Sequence, residues 1–364
     1  FRWELEDEVV EDLNAVQFVL FYFIPVLCTK SDALPSDLVA AMRRAVALGL
    51  EEIARIDVQT PKLSFSIERS SSEQWQVKER GGYPVKFETI KQAVVGIANT
   101  RLLEAKTAKP ELHDRLFLKS PNDGGRGTTI VLADRSGKSI AAIVVGKTKS
   151  SPTKSEDGIH YVRRLDQNQS YLASGRVEVW ETIDRWLDNA MPTIARQRVR
   201  AATTIQANGA RAGVARADPN SRDFKITNIP KGMKPLHDTA GNALGSALGF
   251  LNFEDVQPAS KVDFTDANKA VFKTFDGVTI EVTVKKEKDG YWLQFMTRFD
   301  AADIMLDGLT TEQKKKMKGA GDAKVEVANI NQRFSPWAYR IPEYKAKDFI
   351  TGANQLMIKD DRKS

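Results

Sequence analysis

The residue types that carry most protein chemistry are few and scattered in this chain. Cys28 is the only cysteine, which excludes an internal disulfide and a cysteine metal cluster. The three histidines, His113, His160 and His237, lie far apart, and none has an acid or a second histidine at the spacing of metal ligands. We interpret each histidine as structural. The sequence therefore predicts neither a metal site nor a cofactor.

Two short patterns resemble parts of known catalytic sites. Residues 124–127 read GGRG, but a Walker phosphate loop needs Lys-Ser/Thr at the start of a helix, and here a strand is predicted to follow. Glu181 and Asp184 share one face of a predicted helix over 180–187, without a partner histidine. We interpret the glycines as a flexible approach to a hairpin and the two acids as solvated. No catalytic residue is predicted, and we expect a protein that is not an enzyme.

The charge balance does not indicate nucleic-acid binding. Lys and Arg number 54 against 48 Asp and Glu, and the formal net charge of +6 is small for 364 residues. The densest basic stretch, residues 196–225, holds seven Lys or Arg against two Asp. Contact with anionic lipid headgroups or an acidic partner is one interpretation of this stretch. A plain solvated surface is the other, and we favour it.

The elements that must position any site are centred on residues 75–107. This stretch reads as a strand, a Gly-Gly turn, an amphipathic helix and a return strand, and it follows alternating apolar positions around Ile56 and Phe65. Such alternation is typical of an antiparallel meander with one buried face. A hairpin over 128–133 and 140–145 follows, then short strands over 161–164 and 170–173. The pattern predicts a curled sheet covered by one helix.

A weaker copy of this unit begins near residue 224. Phe224 stands where Trp75 does, and Thr239 and Glu254 follow Thr89 and Glu104 at a constant offset of 150 residues. We therefore predict an α+β fold of two tandem repeated modules, each an antiparallel sheet with an amphipathic helix. The predicted parts are an N-terminal apolar and helical segment (1–50), the first module (51–190), the second module (191–345), and a C-terminal helix and tail (346–364).

The second module has its own predicted details. Its helix should carry Ala240, Leu244, Ala247, Leu248 and Leu251 on one side, with Gly241, Gly245 and Gly249 explained by close backbone packing. A clear hairpin is expected over 278–284 and 291–295. A charged helix is expected over 309–318, and a final helix should run through 349 and 356.

Aromatic residues are the main candidates for binding. Trp75 and Phe224 suit core packing better than a carbohydrate or peptide platform. Trp337, Tyr339 and Tyr344 lie beside two prolines. They are either a docking site for a partner or a packed C-terminal cover.

The N-terminal segment has two competing interpretations. Residues 1–12 are acidic, and an apolar run covers 16–28. As a helix, this run would reach roughly 20 Å, short of the ~30 Å hydrocarbon core. A membrane-associated segment and a buried or partner-covered helix both remain open, and a capped helix is expected over 38–46. The residues proposed to contact a membrane or a partner are Phe18, Phe21, Tyr22 and Phe23.

Three stretches together resemble one bacterial domain family of unknown function. They are WQVKERGGYPVKFETIKQAVVGIANTRLLEAKT, the strand pair around residues 136–138, and SPWAYRIPEYKA. The chain is similar over roughly 50–357 to a family found as an auxiliary component of gliding-motility-type ABC transport systems. The resemblance implies one N-terminal membrane anchor and a repeated body on the extracytoplasmic (periplasmic) side of the cell membrane. The acidic flank and the short apolar run depart from that pattern.

The resemblance implies a function but no catalytic or ligand residues. Our leading hypothesis is a non-enzymatic accessory or structural protein whose partners are ABC-type transporter subunits, with membrane contact through the N-terminal segment. The alternative is an envelope module that binds polysaccharide or peptide through exposed aromatic residues. Hydrolase activity is a third hypothesis, and it requires acids or histidines gathered from distant segments. The sequence identifies neither the transported substrate nor the partner stoichiometry.

Overall fold

The computed structural model describes residues 52–149, 158–175, 180 and 182–360. The apolar run over 16–28, its four aromatic residues and the helix predicted over 38–46 lie outside these residues. The described chain divides into two compact units. One holds 52–79 and the described part of 84–182, and the other holds 80–83 and 183–360. The division at 182/183 is near the predicted boundary at 190, but the place of 80–83 in the second unit was not predicted.

A nine-stranded sheet with the order β4-β3-β2-β1-β6-β7-β8-β9-β5 contains the strands of the first unit. Its strands are β1 (Arg55–Gln59), β2 (Ser64–Arg69), β3 (Trp75–Val77), β4 (Tyr83–Pro84), β5 (Arg101–Ala105), β6 (Thr128–Ala133), β7 (Ser139–Lys149), β8 (Ile159–Arg164) and β9 (Ser170–Ser174). Helix α1 (Phe87–Ala98) connects β4 to β5 and buries Ile90, Val94 and Ile97. These three side chains recur every three or four residues, as the apolar stripe of an amphipathic helix requires.

The second unit is built on an eight-stranded sheet with the order β12-β11-β10-β15-β16-β17-β18-β14. Its strands are β10 (Val199–Ile205), β11 (Arg211–Ala215), β12 (Lys225–Thr227), β14 (Asp255–Pro258), β15 (Asn268–Thr274), β16 (Asp276–Glu287), β17 (Gly290–Ile304) and β18 (Trp337–Ile341). A separate ribbon pairs β13 (Met233–Pro235) with β19 (Met357–Lys359).

Helices and short turns complete the described chain. The helices of the second unit are α2 (Asn242–Gly245), α3 (Thr311–Lys314), α4 (Ala320–Phe334), α5 (Glu343–Phe349) and α6 (Ala353–Leu356). Turns of 3-10 helix lie at Lys78–Arg80, Pro110–Leu112, Asp114–Leu116, Pro121–Asp123, Ile183–Arg185, Arg196–Arg198 and Ala259–Lys261. The described fold is mixed and mostly strand, and the strand pairs with a recorded register are all antiparallel, consistent with the predicted α+β class.

The two sheets have the same strand order. If the two-residue β4 is left out and nine is added to each remaining strand number, the order of the first sheet becomes the order of the second. The register agrees as well. Val162 pairs with Tyr171 in the first unit, and Leu293 pairs with Tyr339 at the corresponding position of the second. Both tyrosines are fully buried core residues.

The predicted strands are observed, but several predicted helices are wrong in extent. The helix expected over 180–187 is only the turn Ile183–Arg185 among the described residues, and the helix over 309–318 is reduced to α3. The long α4 that follows was not predicted. The final helix is divided into α5 and α6.

The second module's helix is a single turn, and two of its glycines contact neighbouring groups. A Cβ added at Gly245 would lie 2.3 Å from the ring of Phe224, and one at Gly241 would lie 2.5 Å from that residue's carbonyl oxygen. This confirms the predicted close packing for Gly241 and Gly245, but Gly249 would meet only the nearby Ser246 carbonyl oxygen at 3.3 Å. Ser246 follows in a non-helical conformation.

Candidate functional site

The three aromatic residues proposed for partner docking have different environments. Tyr339 is fully buried, Trp337 is half-buried, and Tyr344 has 63% of its surface exposed. The proposal of Tyr339 as a contact residue is therefore corrected, because a partner cannot reach it in this conformation. Phe18, Phe21, Tyr22 and Phe23 lie outside the described residues.

Tyr339 is the centre of an aromatic cluster in the second unit. Its ring lies 5.2 Å from that of Phe253, 6.1 Å from Phe295 and 6.4 Å from Phe334, centroid to centroid. Burial raises the pKa of the Tyr339 hydroxyl far above its usual value, and it raises the pKa of Tyr83 to about 12. Both hydroxyls therefore stay protonated at physiological pH. Trp75 and Phe224 are buried as well, which confirms their predicted place in the core.

The exposed aromatic surface of the second unit is formed by Tyr344 and Phe250. Phe250 is 96% exposed, the highest value among the large hydrophobic side chains of the described chain. It also has a positive φ of 52°, a left-handed conformation that residues other than glycine rarely adopt. A bulky apolar residue that gains nothing from burial and strains its backbone suggests a role outside folding.

The loop that presents Phe250 is fixed to helix α5. The Lys345 ammonium donates a hydrogen bond to the Gly249 carbonyl oxygen over 3.3 Å. Lys345 directly follows the exposed Tyr344 in the chain. Ala346 and Phe349 are buried and anchor this helix. We call these three residues the aromatic docking surface: the exposed Phe250 and Tyr344, and Lys345, which links helix α5 to the loop.

Helix α5 also carries Asp348, a carboxyl group with a shifted pKa. Burial raises the pKa of the Asp348 carboxyl, and the charge of Lys345 opposes this effect only in part. Glu343 and Lys347 form an exposed ion pair one turn apart, with the ammonium 3.2 Å from the carboxylate. The docking surface therefore combines apolar rings with charges of both signs, a composition common at protein interfaces.

Sequence reasoning missed Phe250 because no local pattern distinguishes it from its neighbours. Leu251 and Phe253 follow within three residues, and Phe253 is buried. The preceding Gly249 was interpreted as part of a helix. Helix α2 ends at Gly245, and the path of the chain after it leaves Phe250 outside the core.

The basic stretch over 196–225 is interrupted by two buried arginines. Arg198 is 4% exposed and binds two carboxylates: its Nε lies 2.7 Å from Asp276 and its Nη2 lies 2.7 Å from Glu326. Arg216 is 5% exposed and donates to backbone carbonyls, including that of Val199 at 2.8 Å. The stretch is therefore not one continuous basic surface.

Arg216 and Arg196 contact the same aromatic ring. Their guanidinium carbons lie 4.9 and 5.2 Å from the centroid of Phe224. Burial, with a smaller effect from the charge of Arg196, lowers the pKa of Arg216 to about 10. Arg216 stays charged at neutral pH, and its carbonyl contacts join the end of β11 to the loop around Pro219. This arrangement is a structural cross-link.

The three histidines are separate, and each bonds within its own unit. The Nε2 of the buried His113 donates to the Asn168 carbonyl over 2.8 Å. His160 and His237 each place Nδ1 3.1 Å from a threonine hydroxyl, of Thr148 and Thr239 respectively. Across the described residues, no three His, Cys, Asp or Glu side chains are grouped so as to hold a metal ion.

The glycine-rich run over 124–127 fits its neighbours by close packing. Gly124 has a φ of 73° and ends the turn Pro121–Asp123, and a Cβ at Gly125 or Gly127 would clash with the backbone oxygen of Lys119. Strand β6 follows, as predicted. Glu181 is outside the described residues, so its pairing with the half-buried Asp184 stays a prediction.

Comparison with known proteins adds no identity. No family model, curated protein or solved structure matches the chain. Within the described part of the chain, no helix has both the length and the apolar character to cross a bilayer.

Proposed function

We propose that this protein is a non-enzymatic accessory component of a membrane assembly, attached at the extracytoplasmic face and docked to ABC-type transporter subunits. The resemblance of residues 50–357 to an auxiliary family of such systems motivates the partner class. The single observation that carries the docking role is the exposure of Phe250, on a loop whose Gly249 carbonyl accepts a hydrogen bond from Lys345, the residue after the exposed Tyr344. Exposed aromatic anchors on rigid elements are the usual centres of binding energy in interfaces.

We further propose that the body arose by duplication of one module. The support is the shared strand order of the two sheets and their shared register, including the buried pairs Val162–Tyr171 and Leu293–Tyr339. Under this proposal α2 is the shortened counterpart of α1, and the segment with α3 and α4 is an insertion between the counterparts of β8 and β9. A duplicated scaffold with different surfaces suits a spacer that contacts more than one subunit.

The docking role is tested by site-specific photo-crosslinking in native membranes. A photoreactive phenylalanine analogue would replace Phe250 or, in a second variant, Tyr344, and the same analogue at the exposed turn residue Asn208 is the control. We expect cross-links from 250 and 344, but not from 208, to subunits identified by mass spectrometry as parts of an ABC-type transporter. Recovery of the protein as a free monomer without such cross-links would contradict the proposal.

The alternative is an envelope module that binds polysaccharide or peptide. The observation that favours it is the half-buried Trp337, whose ring lies 5.0 Å from that of Tyr83 at 83° and keeps part of its surface open. Stacking on aromatic rings is a common way to bind sugars. Quenching of tryptophan fluorescence by cell-wall fragments, lost in Trp337→Leu, would favour this alternative over transporter docking.

A further inference from the structure

The net charge of the whole chain conceals a more basic body. The described residues carry 46 Lys and Arg against 34 Asp and Glu, whereas residues 1–12 carry six acids and one arginine. An excess of this size attracts anionic surfaces over distances of about a Debye length. The structure determines where exposed cations lie together.

One such place in the first unit is centred on Phe117. The guanidinium carbon of Arg126 lies 4.0 Å from the centroid of the Phe117 ring, and the Lys147 ammonium lies 5.9 Å from it. The two cations come from different segments, the approach to β6 and the end of β7. A single ring therefore fixes two positive charges that are far apart in sequence.

The scaffold beneath this ring is tightly built. The Gly127 N–H donates to the Lys119 carbonyl over 3.0 Å, and a Cβ at Gly146 would lie 2.3 Å from the carbonyl oxygen of Leu116. The neighbouring Leu118 is completely buried. Phe117 itself has a positive φ of 57°. The loop is thus held against the sheet while its cations remain at the surface.

The charges around Phe117 are only partly neutralised. Arg126 donates to the Asp114 carbonyl over 3.1 Å and lies 3.4 Å from its carboxylate. In the part of the chain that the structure describes, the exposed Arg115, Lys119 and Lys147 form no ion pair. These four cations outnumber the three exposed acids of the same loop, Glu111, Asp114 and Asp123, by one, so the surface keeps a small positive excess.

We propose that Phe117, Arg126 and Lys147 form a contact for the anionic headgroups of a lipid bilayer. The combination of an aromatic ring at the surface with clustered Lys and Arg is the one that favours the headgroup region. The inference rests on the proposed membrane location and adds a second, charge-dependent contact in the first unit. Asp114 opposes this contact, since its carboxylate faces the same headgroups.

The test measures binding of the full chain to two kinds of vesicle. One consists of phosphatidylcholine alone, and the other contains 30% phosphatidylglycerol, a fraction of roughly one anionic lipid in three. We expect tighter binding to the anionic vesicles, and we expect this preference to disappear at about 0.5 M salt, where the screening length is roughly 4 Å. Contact through an apolar segment does not depend on lipid charge, so the difference between vesicles measures charge-dependent contact, and the variants locate it on the chain.

Three variants and one control locate the effect. Each of Arg126→Gln and Lys147→Gln should weaken binding to anionic vesicles roughly fivefold, the factor expected for one cation at the surface. Asp114→Asn should strengthen it, and an unfolding curve equal to that of the wild type shows that the gain does not come from an unfolded chain. Lys138→Gln removes an exposed lysine from the turn between β6 and β7 and should have a much smaller effect.

The outcomes separate the two proposals. Equal binding of the wild type to both vesicles, or no response to Arg126→Gln, Lys147→Gln and Asp114→Asn, would overturn the headgroup contact. That result leaves the transporter-docked role intact. Absence of the protein from native membranes would instead overturn the proposed function.

Discussion

The side-chain amide of Asn331 pairs with the backbone of Thr297 as a neighbouring strand would. The Thr297 N–H donates to Asn331 Oδ1 over 2.9 Å, and Asn331 Nδ2 donates to the Thr297 carbonyl over 2.8 Å. The Thr297 hydroxyl also donates to Oδ1 over 2.9 Å. Strand β17 pairs with β18 only at Tyr291, Trp292 and Leu293. Asn331 on α4 therefore satisfies backbone groups of β17 beyond the end of that pairing.

We expect Asn331→Ala to lower the free energy of unfolding by about 2–3 kcal/mol. Three hydrogen bonds to Thr297 and one from the Ser335 hydroxyl are lost, and the backbone groups of the buried Thr297 remain without their partner. Equilibrium unfolding in urea measures the change. Asn329→Ala is the matched control, because Asn329 is exposed on the same helix and should shift stability by less than about 0.5 kcal/mol. Equal effects of the two variants would show that the amide pairing contributes nothing.

Removing the charge of Arg198 should be among the most damaging single changes. Arg198→Met leaves Asp276, which is 1% exposed, and Glu326 without the cation that compensates their burial. The expected loss is roughly 3–5 kcal/mol, typical of a broken buried ion pair. Arg211→Met, at an exposed position of β11, is the control. A loss below about 1 kcal/mol would mean that Lys318 alone compensates the two carboxylates.

The same cluster predicts a loss of stability in acid. Burial raises the pKa values of Asp276 and Glu326, but hydrogen bonds from Arg198 outweigh this effect, with a further contribution from Lys318, and both pKa values end below their usual range. Groups with depressed pKa values stabilise the fold above their unfolded pKa values, near 4, and this contribution is lost as pH falls through the folded values. The free energy of unfolding should therefore fall more steeply between about pH 6 and about pH 3 in the wild type than in Asp276→Asn. This range roughly brackets the unfolded pKa values. The same pH dependence in both proteins would contradict a stabilising role for the depressed pKa of Asp276.

Gly245 and Gly321 should respond in opposite directions to the same substitution. A Cβ at Gly245 meets the Phe224 ring at 2.3 Å, so Gly245→Ala forces the core to move and should cost about 1–3 kcal/mol. Gly321, inside α4, has open space at the Cβ position, and Gly321→Ala should stabilise by up to about 1 kcal/mol. Thermal unfolding of both variants checks the contrast. A stable Gly245→Ala protein would show that Phe224 can move aside.

The strands were predictable from sequence because their signal is local. Alternation around Ile56, Phe65 and Val282 directly reports which face is buried, and hairpin turns such as 134–137 supply the chain reversals. Helix lengths were less predictable because tertiary contacts determine them. Helix α2 ends at Gly245, which packs against Phe224, and nothing near Gly245 in the sequence indicates that contact.

Helix α4 was missed for a related reason. It buries Ala323, Ile330 and Phe334, a sparse stripe, and it is held to the sheet largely by polar side chains such as Asn331.

The candidate surfaces were missed because exposure depends on the fold. Phe250 and Phe253 have the same side chain, and only the chain path makes one a surface residue and the other a core residue.

This pair gives the sharpest test of the aromatic docking surface. Phe250→Asn should leave the free energy of unfolding unchanged or raise it slightly, because almost no buried surface is lost and asparagine tolerates a positive φ better than phenylalanine. Phe253→Asn, the same chemical change three residues later at a site that is 5% exposed, should cost roughly 3–5 kcal/mol. Urea unfolding measures both. A cross-linker at 344 should then lose its transporter product in the Phe250→Asn background although the protein remains folded. A fully retained product would remove Phe250 from the docking surface, because the variant keeps the fold and changes only that ring.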